Sequence, residues 1–330
     1  MVGKLDSPFI TYNLKPSTTH VLATTAIGGK YFEDWSERSA PGWLQYAKKF
    51  NLGIVVAADE LLSPSDQYYK GPSWQKLLLP HLIEDSLPNV KRVALIDTDI
   101  LISPLAPNIF DVSPPEKIGV VSLYKNLPMD YYDVRSRIAF FRQAYYDPEY
   151  PLESELLASP EVIFAHRDLT THGDFFCAGV MVTSLKHHSD SLVSWFYDFD
   201  RDAGSALLDQ HGNWEQPIVN DKVQSEGLAH WLPYEFQALW IYEMAWYYPF
   251  LYRSNPALSD SAADCIVSTL SRNYFLHFAG SWPESDMWRC ATTIPTVELD
   301  ELADLGLVST RIHATPSLGK LQPTARIQSH

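Results

Sequence analysis

Cysteine is scarce in this chain: Cys177, Cys265 and Cys290 are the only three in 330 residues. They are too few for a disulfide framework, and their spacing matches no zinc motif. The expectation is three reduced thiols in a cytoplasmic compartment. Apolar runs of the roughly 20 residues that span a bilayer are missing. So is a basic region followed by an apolar segment near Met1; neither a transmembrane segment nor a signal peptide is expected. No Asn-x-Ser/Thr acceptor occurs, in keeping with a non-secretory protein. Positive charge is in short supply, 25 Lys and Arg against 40 Asp and Glu, for a formal net charge of −15. That sign repels a phosphate backbone, which excludes nucleic acid as an expected partner. An anionic substrate would have to be held locally, by a metal or a few placed cations. Neither G-x-G-x-x-G nor G-x-x-x-x-G-K-[ST] is present, so the dinucleotide fingerprint and the P-loop are unsupported. Repeats and low-complexity blocks are absent as well.

What the chain does have is an ordinary globular balance, 46% hydrophobic and 20% charged, with a high aromatic share of 13%. The 10 Trp and 18 Tyr offer flat apolar faces with a polar edge, a lean toward carbohydrate. Hydrophobic patterning predicts strands near 20–27, 53–58, 92–96 (ending at Asp97-Thr98-Asp99 and resuming over 100–102), 118–123, 175–184, 227–233 and 274–279. Helices are predicted over 34–50 (capped by Asp34 or Ser36 and interrupted at Pro41-Gly42), 72–82, 129–146, 192–202 and from 214. Alternating strands and helices imply an α/β fold with a single, mostly parallel Rossmann-like sheet flanked by helices. Residues 1–312 read as one domain and 313–330 as a poorly packed tail.

The stretch that most needs explaining is Val93-Ala94-Leu95-Ile96-Asp97-Thr98-Asp99-Ile100-Leu101-Ile102. Two carboxylates stand between core-grade apolar runs, where ionised Asp is rarely found without a partner. Residues i and i+2 of a strand point to one side, so Asp97 and Asp99 are expected to converge. Like charges at that distance call for a cation between them, and a hard divalent metal suits oxygen ligands. In open α/β sheets, ligands bind beyond the carboxyl ends of the strands, which is where this pair falls.

Four segments together resemble the GT-A fold glycosyltransferases, most of all the retaining family 8 group that includes glycogenin and lipopolysaccharide galactosyltransferases. They are Lys76-Leu77 followed by the strand and Asp97-Thr98-Asp99; Phe176-Cys177-Ala178-Gly179-Val180; Glu215-Gln216-Pro217-Ile218-Val219-Asn220; and His277-Phe278-Ala279-Gly280. The last two are also similar to the retaining family 34 galactosyl- and xylosyltransferases. The resemblance spans roughly residues 20–290 and implies a GT-A fold. It further implies an enzyme that moves a sugar from a nucleotide-diphosphate-sugar donor, UDP- or GDP-linked, to a carbohydrate acceptor hydroxyl with retention.

The roles it implies are specific. Asp97, Asp99 and His277 would bind Mn²⁺ or Mg²⁺; the imidazole favours Mn²⁺. Lys76 would lie near the donor sugar or its phosphates, with Thr98 and Gly280 on the donor side. Ala178 and Gly179 would let backbone approach the sugar, Gln216 would sit under the anomeric carbon, and Glu215 would bind donor-sugar hydroxyls. The chain departs from the family at Cys177 (usually Asn), at Glu215 (usually Asp) and after Gly280, where Ser281-Trp282-Pro283 replaces Lys-Pro-Trp. Lys30 and Arg289 are candidate replacements for that lysine. Asp174 is a candidate general base should the reaction invert. Cys177 reads as a small buried hydrophobe, His187-His188 as helix-start residues, and the aromatic run 234–252 as core. Two other classes fit the same residues: a sugar-phosphate nucleotidyltransferase, and a non-catalytic nucleotide-sugar or carbohydrate-binding protein of this fold.

Overall fold

The structure is a computed structural model that describes residues 9–146, 158–198, 215–253, 258–280, 282–293 and 325–327. Its strands are β1 Phe9–Tyr12, β2 His20–Thr25, β3 Gly53–Ala57, β4 Arg92–Ile96, β5 Ile100–Ile102, β6 Ile118–Val120, β7 Val180–Ser184, β8 Ala229–Trp231, β9 Ala238–Leu239, β10 Phe275–His277 and β11 Ala325–Ile327. Every residue of β3, β4 and β7 is buried, which is why they read as unbroken apolar runs: helices cover both faces.

The α/β class with a large central sheet flanked by helices is as the sequence implies, whereas the pairing is mixed rather than mostly parallel. Eight strands run in the order β11-β1-β3-β2-β4-β7-β6-β8. Only β3/β2/β4 and β6/β8 are parallel. Nor is the sheet single: β5, β10 and β9 form a second, three-stranded one. Parallel neighbours need a crossover. The helices between β2 and β3 and between β3 and β4 supply two. After β4 the chain turns straight into β5, and β7 returns antiparallel to β4.

The first helical run begins at Gly29, earlier than the caps predicted at Asp34 or Ser36. The interruption predicted at Pro41-Gly42 is not there: both lie within the unbroken helix Ala40–Phe50, Pro41 in its first turn, and the irregularity is a π-helical turn ahead of it, Trp35–Ser39. Pro lacks an N–H and is tolerated in a first turn, and a π-turn is a usual place for the ladder to yield. One face of this run grips the backbone just beyond β4. Ser39 Oγ donates to Thr98 O at 2.6 Å and Trp43 Nε1 to Ile100 O at 2.8 Å. A Cβ on Gly42 would stand 2.9 Å from Ile102 O.

The helix predicted from 192 starts at Leu185, directly after β7, where His188 Nδ1 accepts from Ser184 N at 3.0 Å. Of the predicted strand 175–184 only β7 pairs as a strand, apart from a bridge between Phe176 and Ser122. The aromatic run 234–252 is largely core: Tyr234, Phe236, Trp240, Tyr242 and Tyr252 are buried. Of the stretch 313–330, β11 lies within the described residues, antiparallel to β1; the rest, with residues 199–202 and Trp214, lies outside them. No helix among the described residues is long and apolar enough to cross a membrane.

Because Gly42 lets the helix lie against β5, Gly42→Ala is expected to cost about 1–3 kcal/mol by overpacking. Urea unfolding at constant m-value is the measurement; an unchanged midpoint would mean the contact relaxes freely.

Candidate active site

Where the chain leaves the eight-stranded sheet for the three-stranded one, it turns at Asp97-Thr98-Asp99. Ile100 N donates to Asp97 O at 3.3 Å, and Asp97 N donates to Gly179 O at 2.9 Å. The two carboxylates thus converge through a turn and not by strand alternation, and they are 34% and 26% exposed, so water still reaches them. β10 pairs antiparallel with β5, setting His277 opposite Ile100, and Phe278 N donates to Asp99 O at 3.1 Å. That register brings a histidine from far along the chain to Asp99. Its Nε2 lies 3.3 Å from Asp99 Oδ1 and 3.9 Å from Asp97 Oδ2. Burial alone would push this imidazole's pKa down, but Asp99 and Cys177 beside it hold it well above the ordinary 6.5.

Lys76 is buried behind Asp97. Its ammonium meets Glu215 Oε1 at 2.8 Å, Asp97 Oδ1 at 3.1 Å and Ala178 O at 3.0 Å. An ammonium has three N–H bonds to give, and all are engaged. Burial would lower its pKa; Asp97 and Glu215 hold it above the ordinary lysine range, so it is charged at any working pH. Three carboxylates against this ammonium and a protonated imidazole leave one negative charge, and two once the imidazole is neutral. The surplus favours a cation.

Residues 174–178 have few strand partners, and the helix Gln216–Ser225 satisfies their backbone with side-chain amides. Gln216 Oε1 accepts from Ala178 N at 3.0 Å. Asn220 pairs both ways with Phe176, accepting at 2.8 Å and donating at 2.9 Å. Gln224 Nε2 donates to Asp174 O at 2.9 Å. Four helical residues rise about 6 Å, close to two strand residues at about 6.6 Å, so amides at i, i+4 and i+8 meet backbone at j, j−2 and j−4. This clamp delivers Gly179 to the site. There a Cβ would overlap His277 Cε1 and stand 2.7 Å from the side-chain amide of Gln237; only glycine lets the imidazole in.

The structure therefore brings together Lys76, Asp97, Thr98, Asp99, Ala178, Gly179, Glu215, Gln216 and His277. Gly280 follows β10 by three residues with φ +93°, a left-handed conformation that favours glycine. Asp174 is held apart: its carboxylate accepts from Ser122 Oγ at 2.6 Å and lies 3.5 Å from Lys125 Nζ. Of the candidate replacements for the family lysine, Lys30 is exposed and Arg289 faces Asp286 at 2.6 Å and Asp34 at 3.9 Å. Gln224 and Gln237 were not legible as site residues. The spacing of Gln216, Asn220 and Gln224 is a signal that could have revealed the first; a lone glutamine among aromatics gives none for the second.

Asp97, Asp99 and His277 each offer one ligand atom, all within 4.8 Å of one another. Donors across a small divalent ion stand about 4 Å apart, so the cluster fits one cation after slight side-chain movement. Two carboxylate oxygens and an imidazole nitrogen suit Mn²⁺ better than Mg²⁺.

No protein-family model matches the chain. Part of it is similar to clumping factor A of Staphylococcus aureus, strains Mu50 and N315, 30% identical over 227 residues in each. The match takes 66% of this chain, which spans only 23% and 21% of those curated relatives. Among solved structures it is similar to a glycosyltransferase involved in glycosylating the major capsid of PBCV-1 (8% identical, 84% of this chain and 100% of that one, TM-score 0.48). The bifunctional glycosyltransferase WbbM is 11% identical over 88% of this chain and 52% of its own, TM-score 0.45. The galactosyltransferase LgtC with donor and acceptor sugar analogues is 12% identical over 86% and 99%, TM-score 0.40. None of these likenesses reaches a TM-score of 0.5.

Two outcomes test this geometry. A cation at Nε2 must expel the proton that Asp99 helps hold on His277, so Mn²⁺ affinity should rise with pH up to the raised pKa and level off above it. Calorimetry in two buffers of different ionisation enthalpy should show a released proton below that pKa; release of none would refute the coordination. The folded imidazole's pKa being raised, the metal-free protein should also lose stability as pH climbs through it. Separately, Asn220→Ala strands the buried N–H and C=O of Phe176 and should cost about 2–4 kcal/mol, read by chemical denaturation.

Proposed function

We propose that the chain is a divalent-metal-dependent glycosyltransferase that moves a sugar from a nucleotide-diphosphate-sugar donor, UDP-linked in preference to GDP-linked, to a carbohydrate hydroxyl with retention. The observation that carries this reading is the meeting of Asp97, Asp99 and His277 against a glycine that must be glycine, at the carboxyl end of β4. A protein of net charge −15 has little else with which to hold a diphosphate, and the nearby Lys76 has no hydrogen-bonding capacity to spare.

When bound, the cation would neutralise the charge that develops on the departing diphosphate, as a Lewis acid does. The chain's own groups do the rest. Gln216 stands beside Ala178 with its Oε1 fixed by that residue's N–H, a fixed dipole next to the proposed sugar site. Lys76 keeps Glu215 and Asp97 from repelling each other and holds the Ala178 carbonyl in place. Retention is favoured over inversion by the surroundings of Asp174: the carboxylate that would act as base is tied to Ser122 and Lys125. Three free cysteines among the described residues agree with a reducing, cytoplasmic setting.

Asp99→Ala and His277→Ala should abolish Mn²⁺-dependent transfer while the protein stays folded by circular dichroism. A thermal-shift panel of nucleotide-sugars with and without Mn²⁺ should identify the donor. A ligand at 100 times its Kd stabilises by about 2.7 kcal/mol, and the shift should require the metal. The product's anomeric proton in NMR reports retention. Full activity of either variant under chelator, or pyrophosphate release from a nucleoside triphosphate and a sugar phosphate, would overturn the assignment.

A further inference from the structure

His277 has two ring nitrogens, and Nε2 is the one that faces Asp97 and Asp99. Nδ1 faces the side-chain amide of Gln237, 3.0 Å away and 1% exposed. Gln237 directly precedes β9, which runs parallel to β10 with Leu239 opposite His277. The oxygen and nitrogen of such an amide are assigned from their partners, and one placement satisfies every neighbour. In it, Nε2 donates to Cys177 O at 3.0 Å, while Oε1 accepts from Val180 N at 3.3 Å and from His277 Nδ1 at 3.0 Å.

One neighbour of this amide has no choice of role. The Val180 N–H can only donate, so the Gln237 atom it meets is the oxygen. The ring nitrogen that meets the same oxygen must then carry a hydrogen. Cys177 Sγ also lies near Nδ1, at 3.6 Å, but sulfur is the weaker and more distant acceptor. We propose that Gln237 is a positioning residue that holds His277 as the Nδ1–H tautomer, leaving the Nε2 lone pair directed at Asp97 and Asp99 for a divalent cation. The same amide bridges Cys177 O and Val180 N, so it fixes the peptide run through Gly179 and the ring that packs on it. This inference rests on the cation reading of Asp97, Asp99 and His277. Outer hydrogen bonds of this kind set ligand orientation and basicity, and their loss typically weakens metal binding 10–100-fold.

The test is Mn²⁺ binding by calorimetry on the full chain at fixed pH, with melting temperature as the folding control. Gln237→Leu should weaken Mn²⁺ binding about 10–100-fold. Gln237→Glu, which keeps an acceptor for Nδ1–H, should bind within a few-fold of wild type. The wild-type protein loaded with Mg²⁺ supplies a second readout that needs no variant to fold. Its ¹⁵N spectrum should show His277 Nδ1 protonated and Nε2 bare of hydrogen. Wild-type affinity in a folded Gln237→Leu protein overturns the inference and leaves the cation site standing, whereas a spectrum with Nε2 protonated overturns both the inference and the imidazole's place among the ligands. No Mn²⁺ binding by the wild type overturns both.

Discussion

Crowded negative charge is the constraint on which the site depends. Asp97, Asp99 and Glu215 lie around a small volume beyond β4, and two buried groups keep them there: the Lys76 ammonium between Asp97 and Glu215, and the His277 imidazole against Asp99. Carboxylates that close repel strongly in a medium less polar than water. A paired ammonium in the interior is costly to unpair, because its partner charges are left without compensation. The cluster is thus nearly neutralised from within on the Glu215 side and open on the Asp99 side, where the carboxylates are part-exposed. A cation approaching from solvent meets the unbalanced half.

The fold serves this arrangement through the seam between its two sheets. β4 ends in the large sheet and β5 begins in the small one, with only the turn 97–99 between them. β7 starts beside that turn and β10 ends beside it. Four strand ends from three separate parts of the chain therefore supply the ligands, the glycine and the imidazole. Each is fixed by backbone pairing and not by side-chain contact alone. The helix behind the turn adds Ser39 and Trp43 as donors to its carbonyls. Few residues at such a seam are free to drift.

The sequence displays the donor types better than it displays their geometry. Asp97 and Asp99 stand out because two carboxylates sit between apolar runs that give them no obvious partner, whereas His277 alone reads as a core histidine and stands out only through the resemblance of His277-Phe278-Ala279-Gly280. Gly179 stands out by its place in Phe-Cys-Ala-Gly-Val. Strand direction does not: β7 and β2 are equally apolar, yet one pairs antiparallel with β4 and the other parallel. The break after Ile96 was legible, but the turn at 97–99 was not, because strand alternation would also bring the carboxylates of residues 97 and 99 to one side. Gln237 leaves no local trace, since its value comes from three partners, Cys177, Val180 and His277, that the fold alone assembles.

The amide clamp between the helix Gln216–Ser225 and residues 174–178 carries its own limit. A helix advances about 0.6 Å less per four residues than a strand does per two, so successive contacts slip. Across the span from Gln224 to Gln216 the accumulated offset is a little over 1 Å, near what hydrogen bonds forgive. One more step along would fall at Val180, and there the backbone changes hands: β7 takes up its partner β4, and the vernier between two unequal rulers ends where it would have run out of tolerance.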